Sequence, residues 1–311
     1  MAPPLPLPLP LPLCAAAAAL ALLGAGPARA QGGPPFLPPL QQRLLVPSLG
    51  VAACYDPSDP AHGACACAWD QLVSDTASRA YSALGAVVIS PGSPAAPGPG
   101  ATCNAGFLAN VTLRMQAADP NVPVLGLVPV AFGQRPLAAA IADMDAYVRC
   151  YAPPLVAGFI LWEAPSDCAA APFVSALAAH ARAALGGANP AAPPTQVVLD
   201  AAGQPGAECL LAPGLADVIV TFRGDYSAYE AFEPAPWHLA HNATRFAHVV
   251  TGAAFVDGAA DSPHLLAIIK SKSSNAGFVY VTNVTGDSSF GILPSPYIYW
   301  DQELRWARNI V

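Results

Sequence analysis

From Leu44 onward the chain alternates short apolar runs with stretches of helical periodicity. Runs of four to eight apolar residues bounded by turn residues read as strands buried on both faces, and apolar positions recurring at three and four read as one helix face. On that reading strands occupy Val46–Ala53, Ala86–Ser90, Val122–Val130, Val156–Trp162, Thr195–Asp200, Asp217–Phe222, Phe246–Thr251 and Gly277–Thr282. Between or after them lie helical stretches at Trp69–Leu84, Ala105–Ala118, Leu137–Tyr151, Phe173–Leu185, His264–Ser273 and Ile298–Asn309. The third is the most regular, with Leu137, Ile141, Met144, Val148 and Tyr151 on one face. Eight strands separated by helices predict parallel pairing through right-handed crossovers, closed into a single-domain (β/α)8 barrel of the α/β class over residues 44–311. An open doubly wound sheet is the alternative. It lacks support, because no strand leads into a Gly-x-Gly-x-x-Gly turn.

The stretch Val156-Ala-Gly-Phe-Ile-Leu-Trp-Glu-Ala-Pro165 is the most informative. An apolar strand ends there on one carboxylate, Glu163, where barrels of this architecture carry their chemistry. The plainer alternative is that Glu163 caps the next helix or pairs with an arginine.

Composition narrows the possible functions. Of 311 residues, 54% are hydrophobic and 11% charged, enough apolar material for a large core. A net charge of -7, with lysine only at Lys270 and Lys272, argues against a nucleic-acid partner, which requires clustered cations. Residues 1–30 read as a secretory signal, with an apolar core from Cys14 to Leu23 and Ala28-Arg-Ala30 as the cleavage site. Prolines and the absence of an early positive charge depart from the usual pattern. The apolar core is too short for a stable membrane span. Residues 31–43 form a Pro-rich leader, and sequons at Asn110, Asn242 and Asn283 are candidate glycosylation sites in an exported chain.

Loss of Cys14 with the signal leaves Cys54, Cys65, Cys67, Cys103, Cys150, Cys168 and Cys209. Their spacing lacks two close ligand pairs, so disulfides are expected rather than zinc. In a barrel, residues just after a strand share the upper rim, whereas Cys150 ends a helix at the opposite end, about 20 Å away. A disulfide spans no more than about 7 Å between Cα atoms. The topology therefore predicts a Cys168–Cys209 bond, two bonds among Cys54, Cys65, Cys67 and Cys103, and a free Cys150. The scattered histidines form no metal site, no Gly-x-Ser-x-Gly elbow is present, and no cofactor is indicated.

Ordered landmarks along the chain carry a resemblance. They are Val87-Val-Ile-Ser-Pro-Gly-Ser93, Gly98-Pro-Gly100, Val124-Leu-Gly-Leu-Val128, Phe132-Gly-Gln-Arg135, Asp143 with Tyr147, Gly158-Phe-Ile-Leu-Trp-Glu163, Ala216-Asp-Val-Ile-Val-Thr-Phe222 and Leu293-Pro-Ser-Pro-Tyr297. Together, from Val46 to Ile310, the chain resembles the spherulation-specific family 4 proteins. The resemblance implies a (β/α)8 barrel related to secreted glycoside hydrolases that cut galactosamine-containing polysaccharides. It also implies an Asp-Glu pair ending the fourth strand and a Glu ending the sixth. Trp162 stands where the family has Asp, Glu163 matches the second carboxylate, and Arg223 takes the place of the other Glu. The rim is also less polar than the family pattern, with Leu127 for Tyr, Val130 for Thr and Phe132 for Tyr. The family's Asn-Pro-Gly after the fifth strand becomes Asp200-Ala-Ala-Gly-Gln-Pro-Gly206.

Glycoside cleavage usually needs two carboxyl groups flanking the bond. Glu163 beside Arg223 is expected to form an ion pair with a lowered pKa, which is wrong for a general acid. Asp200 is the first candidate for a substitute second acid and Asp225 the next. Trp162, Phe222, Tyr226 and Tyr297 fall at or past strand ends and offer rings for stacking on sugars, although Trp162 serves equally as core. Arg223 belongs to the same candidate binding surface. Two readings follow: a secreted, glycan-binding or wall-associated barrel with a degraded acid pair, or an active glycosidase on galactosamine- or galactose-containing polysaccharide using Glu163 with Asp200 or Asp225.

Overall fold

The structure is a computed structural model that describes residues 43–50, 72, 83–90, 103, 112–151, 155–186, 195–203, 206–253, 272–286, 300, 303–304 and 307. Eight parallel strands close a barrel in sequence order: β1 (Arg43–Gly50), β2 (Leu84–Ser90), β3 (Val124–Pro129), β4 (Gly158–Trp162), β5 (Gln196–Asp200), β6 (Val218–Asp225), β7 (Phe246–Thr251) and β8 (Phe278–Val281). The (β/α)8 expectation is therefore met, with strand starts and ends shifted by a few residues. Leu84 opens β2 rather than ending a helix, and β6 runs on through Arg223-Gly224-Asp225. Residues 1–42 lie outside the described residues, so of the leader only Arg43, which opens β1, is described; Cys54, Cys65, Cys67, Asn110, Tyr297 and most of the two last helical stretches also lie outside them.

The strands form because their apolar runs are covered twice, by the barrel interior and by the helical layer. Every residue of β2 and β7 is buried, as are the first four of β4. Helix Leu137–Tyr151 shows how the outer layer docks. Its buried face holds Ala140, Asp143, Met144, Tyr147 and Tyr151, while Leu137 is 36% exposed and Ile141 and Val148 are only partly covered. The apolar face read from periodicity is thus turned toward Tyr147. That ring lies against the backbone at Gly126, where an added Cβ would stand 3.0 Å from it. Its hydroxyl donates to the carbonyls of Ile89 and Leu127, at 3.0 Å each. Only glycine leaves room for this contact, which joins β2, β3 and the helix at one point. Asp143, also buried, accepts from Arg135, whose guanidinium also donates to the Pro129 carbonyl.

Helix Ala171–Gly186 belongs to the Cys168–Gly186 segment, which is long and apolar enough to cross a membrane. In the barrel its Val174, Leu177, Ala178, Ala181 and Leu185 are buried in the common core. Two short helices, Tyr226–Ala231 and Pro236–Ala240, follow β6 where no helix was expected. Six and five residues are too few to register a period, and the prolines at 234 and 236 mask the pattern further.

Cys168 is bonded to Cys209, with 5.8 Å between Cα atoms. Cys150 is not free: it is bonded to Cys103, 5.1 Å away by the same measure. The assumption that Cys103 stays on the upper rim is wrong. About a dozen residues separate it from Ser90, and an extended chain of that length reaches roughly 40 Å, ample to bring Cys103 to the end of the helix that carries Cys150.

The seam that closes the barrel has an unusual filler. β1 and β8 pair only at Arg43 with Phe278 and Leu44 with Val279. Beyond them the Val281 amide donates to Oε1 of Glu303, at 2.6 Å. Glu303 is 3% exposed, and its Oε2 has no hydrogen-bond partner among the described residues. Burial pushes its carboxyl well above the ordinary value of 4.5, more than the Val281 amide lowers it. A carboxyl whose pKa is raised on folding contributes full stability below its unfolded pKa and loses it as pH rises toward the folded one. Glu303→Gln keeps the acceptor and removes the titration. In urea unfolding, the variant is expected to gain stability relative to the parent between about pH 5 and 8, and a difference that stays constant over that range would exclude a neutral buried Glu303.

Candidate functional site

The ends of β3 to β6 build the upper rim. Pro129, Trp162, Asp200 and Val220 are register partners across four strands. Phe159 packs outward on Tyr147, with ring centroids 6.0 Å apart, so the alternating positions Ile160 and Trp162 face the interior. Asp200, level with Trp162, shares that direction. On β6 a register shift between Val220 and Phe222 resets the alternation and brings Arg223 onto the same side.

The result is a knot of three side chains. The Arg223 guanidinium lies over one face of Trp162, 3.6 Å from the ring centroid. It donates to Oδ2 of Asp200 at 3.0 Å, while Oδ1 accepts from the Ala202 amide at 2.9 Å. The side chains of Arg223 and Asp200 are only 13% and 4% exposed. Burial raises the Asp200 carboxyl above its ordinary range, and Arg223 and the Ala202 amide offset only part of this. A carboxyl in that environment is either protonated or neutralised by its neighbour, and in neither form is it an open nucleophile or base.

Arg223 therefore pairs with Asp200, and the ion pair expected with Glu163 is not formed. Glu163 is half-buried just past β4, and its carboxylate has no hydrogen-bond or ionic partner among the described residues. Its backbone is left-handed, with φ 54°, and its carbonyl accepts from the Phe132 amide. Asp225 ends β6 exposed, where Oγ1 of Thr251 donates to it at 2.8 Å. One strand, β5, separates β4 from β6, and Asp225 lies five residues beyond Val220, the residue level with Trp162, so it stands further out along its strand than Glu163 does.

Strain marks the same rim. The non-glycine residues with positive φ among those described are Ala131, Phe132, Glu163 and Ala202, all in the turns after β3, β4 and β5. Backbone hydrogen bonds lace these turns together, from Val130 to Trp162, Phe132 to Glu163 and Ala164 to Asp200. Such conformations cost about 1–3 kcal/mol each and persist only where the surroundings enforce them, commonly at functional sites.

Other expected residues fall elsewhere. Phe222 does not line the mouth. It packs on Tyr229 and Phe232, with centroids 4.6 and 5.0 Å away, beneath the helix that follows β6. Buried His248 completes this aromatic cluster, bonded through Nδ1 to the Tyr229 hydroxyl at 2.8 Å. Desolvation pushes its pKa down to about 3, so it is neutral at ordinary pH. Tyr226 starts that helix, half-buried against the core. Asn242 is exposed below β7, and Asn283 is half-buried beyond β8. Thr251 and the exposed ring of Phe132 were not singled out as binding residues, since only neighbouring strand ends reveal their position. No group of three His, Cys, Asp or Glu residues among those described is arranged to hold a metal ion.

Comparison with known proteins agrees with this architecture. A search of curated protein sequences gave no match. Among solved structures, the chain is similar to Sph3 of Aspergillus clavatus, crystallised in complex with GalNAc, at 19% identity and a TM-score of 0.64. The match covers 85% of this chain and 97% of Sph3. A 2,3-dimethylmalate lyase matches far more loosely, at 14% identity and a TM-score of 0.34 over 78% of this chain and 76% of the other. The sequence model of spherulation-specific family 4 matches residues 54–307, and the chain belongs to that family.

Proposed function

We propose that this protein is a secreted carbohydrate-binding barrel, acting at the cell surface or wall, in which the acid pair of a glycoside hydrolase has been dismantled. The observation that carries the reading is the Arg223 cation held between Trp162 and Asp200. It puts positive charge where a second carboxylate would have to work and keeps Asp200 from serving as an open nucleophile or base. Glu163 keeps an open carboxylate on the rim, suited to accepting hydrogen bonds from sugar hydroxyls. The complex of Sph3 with GalNAc supports a sugar as the ligand class. Export is supported by the leader, the three sequons and the two disulfides, which persist in oxidising compartments.

A second reading rests on Glu163 and Asp225. Both are carboxylates past the register level of Trp162, on either side of β5, and an inverting glycosidase needs two such groups flanking the bond. Asp200 drops out of that alternative because of its pairing with Arg223.

The two readings part on one measurement, release of reducing ends from galactosamine- or galactose-containing polysaccharide by the purified protein, set beside glycan binding. Binding without turnover is expected. Turnover abolished by Glu163→Gln and by Asp225→Asn would instead establish the inverting enzyme. The pairing itself is checked by stability. Arg223→Ala leaves a buried carboxyl without its cation and is expected to cost about 3–5 kcal/mol in denaturant unfolding. The double variant Asp200→Asn with Arg223→Met is expected to recover much of that loss. A cost below about 1 kcal/mol for the single change would place the ion pair in solvent rather than in the core.

A further inference from the structure

Stacking on sugars was assigned to Trp162, yet one face of that ring is already covered by a guanidinium, at 3.6 Å. Phe132 is an aromatic ring that the same rim presents to solvent. It is 41% exposed and is the one aromatic among the large apolar side chains exposed in the described residues, beside Leu113, Leu137 and Leu239. No aromatic neighbour covers it among those residues. Its position is not that of a loose loop. The residue is left-handed at φ 54° and ψ 32°, a conformation that bulky side chains avoid.

Four sets of contacts hold it there. The Phe132 amide donates to the Glu163 carbonyl, and the Gly133 and Arg135 amides both donate to Val130. Arg135 bridges the Pro129 carbonyl and buried Asp143. Gly133 has φ 82°, and a Cβ there would meet the Pro165 ring at 3.6 Å. The fold thus accepts backbone strain to hold an apolar ring in water, about one strand spacing, roughly 5 Å, from the backbone of Glu163. Among the described residues, neither the exposed ring nor the Glu163 carboxylate has a side-chain hydrogen bond, ion pair or ring contact. A ligand with an apolar face and hydroxyl donors on its edge would satisfy both.

We propose that Phe132 and Glu163 form a pyranose subsite on the lip between β3 and β4. The C–H face of a hexose or hexosamine ring stacks on Phe132, and its hydroxyl or ammonium groups donate to the Glu163 carboxylate. The proposal rests on the carbohydrate-binding reading and adds to it the residues that recognise the sugar.

The test is calorimetric titration of the full-length secreted protein with galactosamine and galactose oligosaccharides, using Phe132→Ala, Phe132→Tyr and Phe132→Gly. Affinity is expected to fall at least tenfold in the alanine and glycine variants and to stay within about twofold in the tyrosine variant, because a ring is retained. Phe132→Gly also separates a binding role from a structural one. Glycine adopts positive φ freely, so the melting temperature is expected to hold or rise while binding is lost. A fall in melting temperature of several degrees would make Phe132 a packing residue and overturn the proposal. Parent-like affinity in the alanine and glycine variants would overturn the subsite while leaving carbohydrate binding intact. Absence of binding by the parent protein to every oligosaccharide would overturn both.

Discussion

The chemistry of the barrel mouth depends on one buried cation. Arg223 reaches inward from β6, lies on the Trp162 ring and grips Asp200, linking the ends of three consecutive strands. A guanidinium suits this place better than an ammonium would, since its flat, weakly hydrated face stacks while its edge donates. The arrangement is self-contained: the cation needs the carboxylate to be tolerated out of water, and the carboxylate needs the cation. The contact ties Asp200 into the packing of the rim through both of its oxygens, one on the Arg223 guanidinium and one on the Ala202 amide.

Around that knot the rim is stiff. Left-handed residues follow β3, β4 and β5, and amide-to-carbonyl bonds carry one turn into the next. The Tyr147 hydroxyl and the Arg135–Asp143 pair tie the underside of the same region to helix Leu137–Tyr151. A surface prepared this way favours recognition by a preformed shape, in which little ordering cost falls on binding. The groups it leaves available, a half-buried carboxylate at Glu163, a solvent-facing ring at Phe132 and an exposed carboxylate at Asp225, are those that bind sugars well. Strained turns that carry exposed function are also where local rules of sequence and structure are most often broken.

The order of the eight strands and the helices Leu137–Tyr151 and Ala171–Gly186 were legible in the chain because they depend on local periodicity and on short connections, both one-dimensional properties. So was the location of Glu163, since a carboxylate ending an apolar strand in a barrel of this kind can only lie at the upper rim. Partnerships between side chains were not legible in this way. Arg223 was expected beside Glu163 from proximity along the rim, but a register shift in β6 aims it at Asp200. The same shift sends Phe222 outward into the cluster with Tyr229 and His248. Cys103 was assigned to the rim by its place after a strand, yet it is bonded to Cys150 at the end of a helix.

By itself, then, the sequence determined the barrel, the order of its strands, and the place of Glu163 at the end of the fourth. Tertiary structure alone decided which charge neutralises which, which ring faces water and which cysteines meet. These outcomes turn on distances of a few ångströms between residues remote in sequence, set by strand register, bulges and loop paths that leave no periodic trace along the chain.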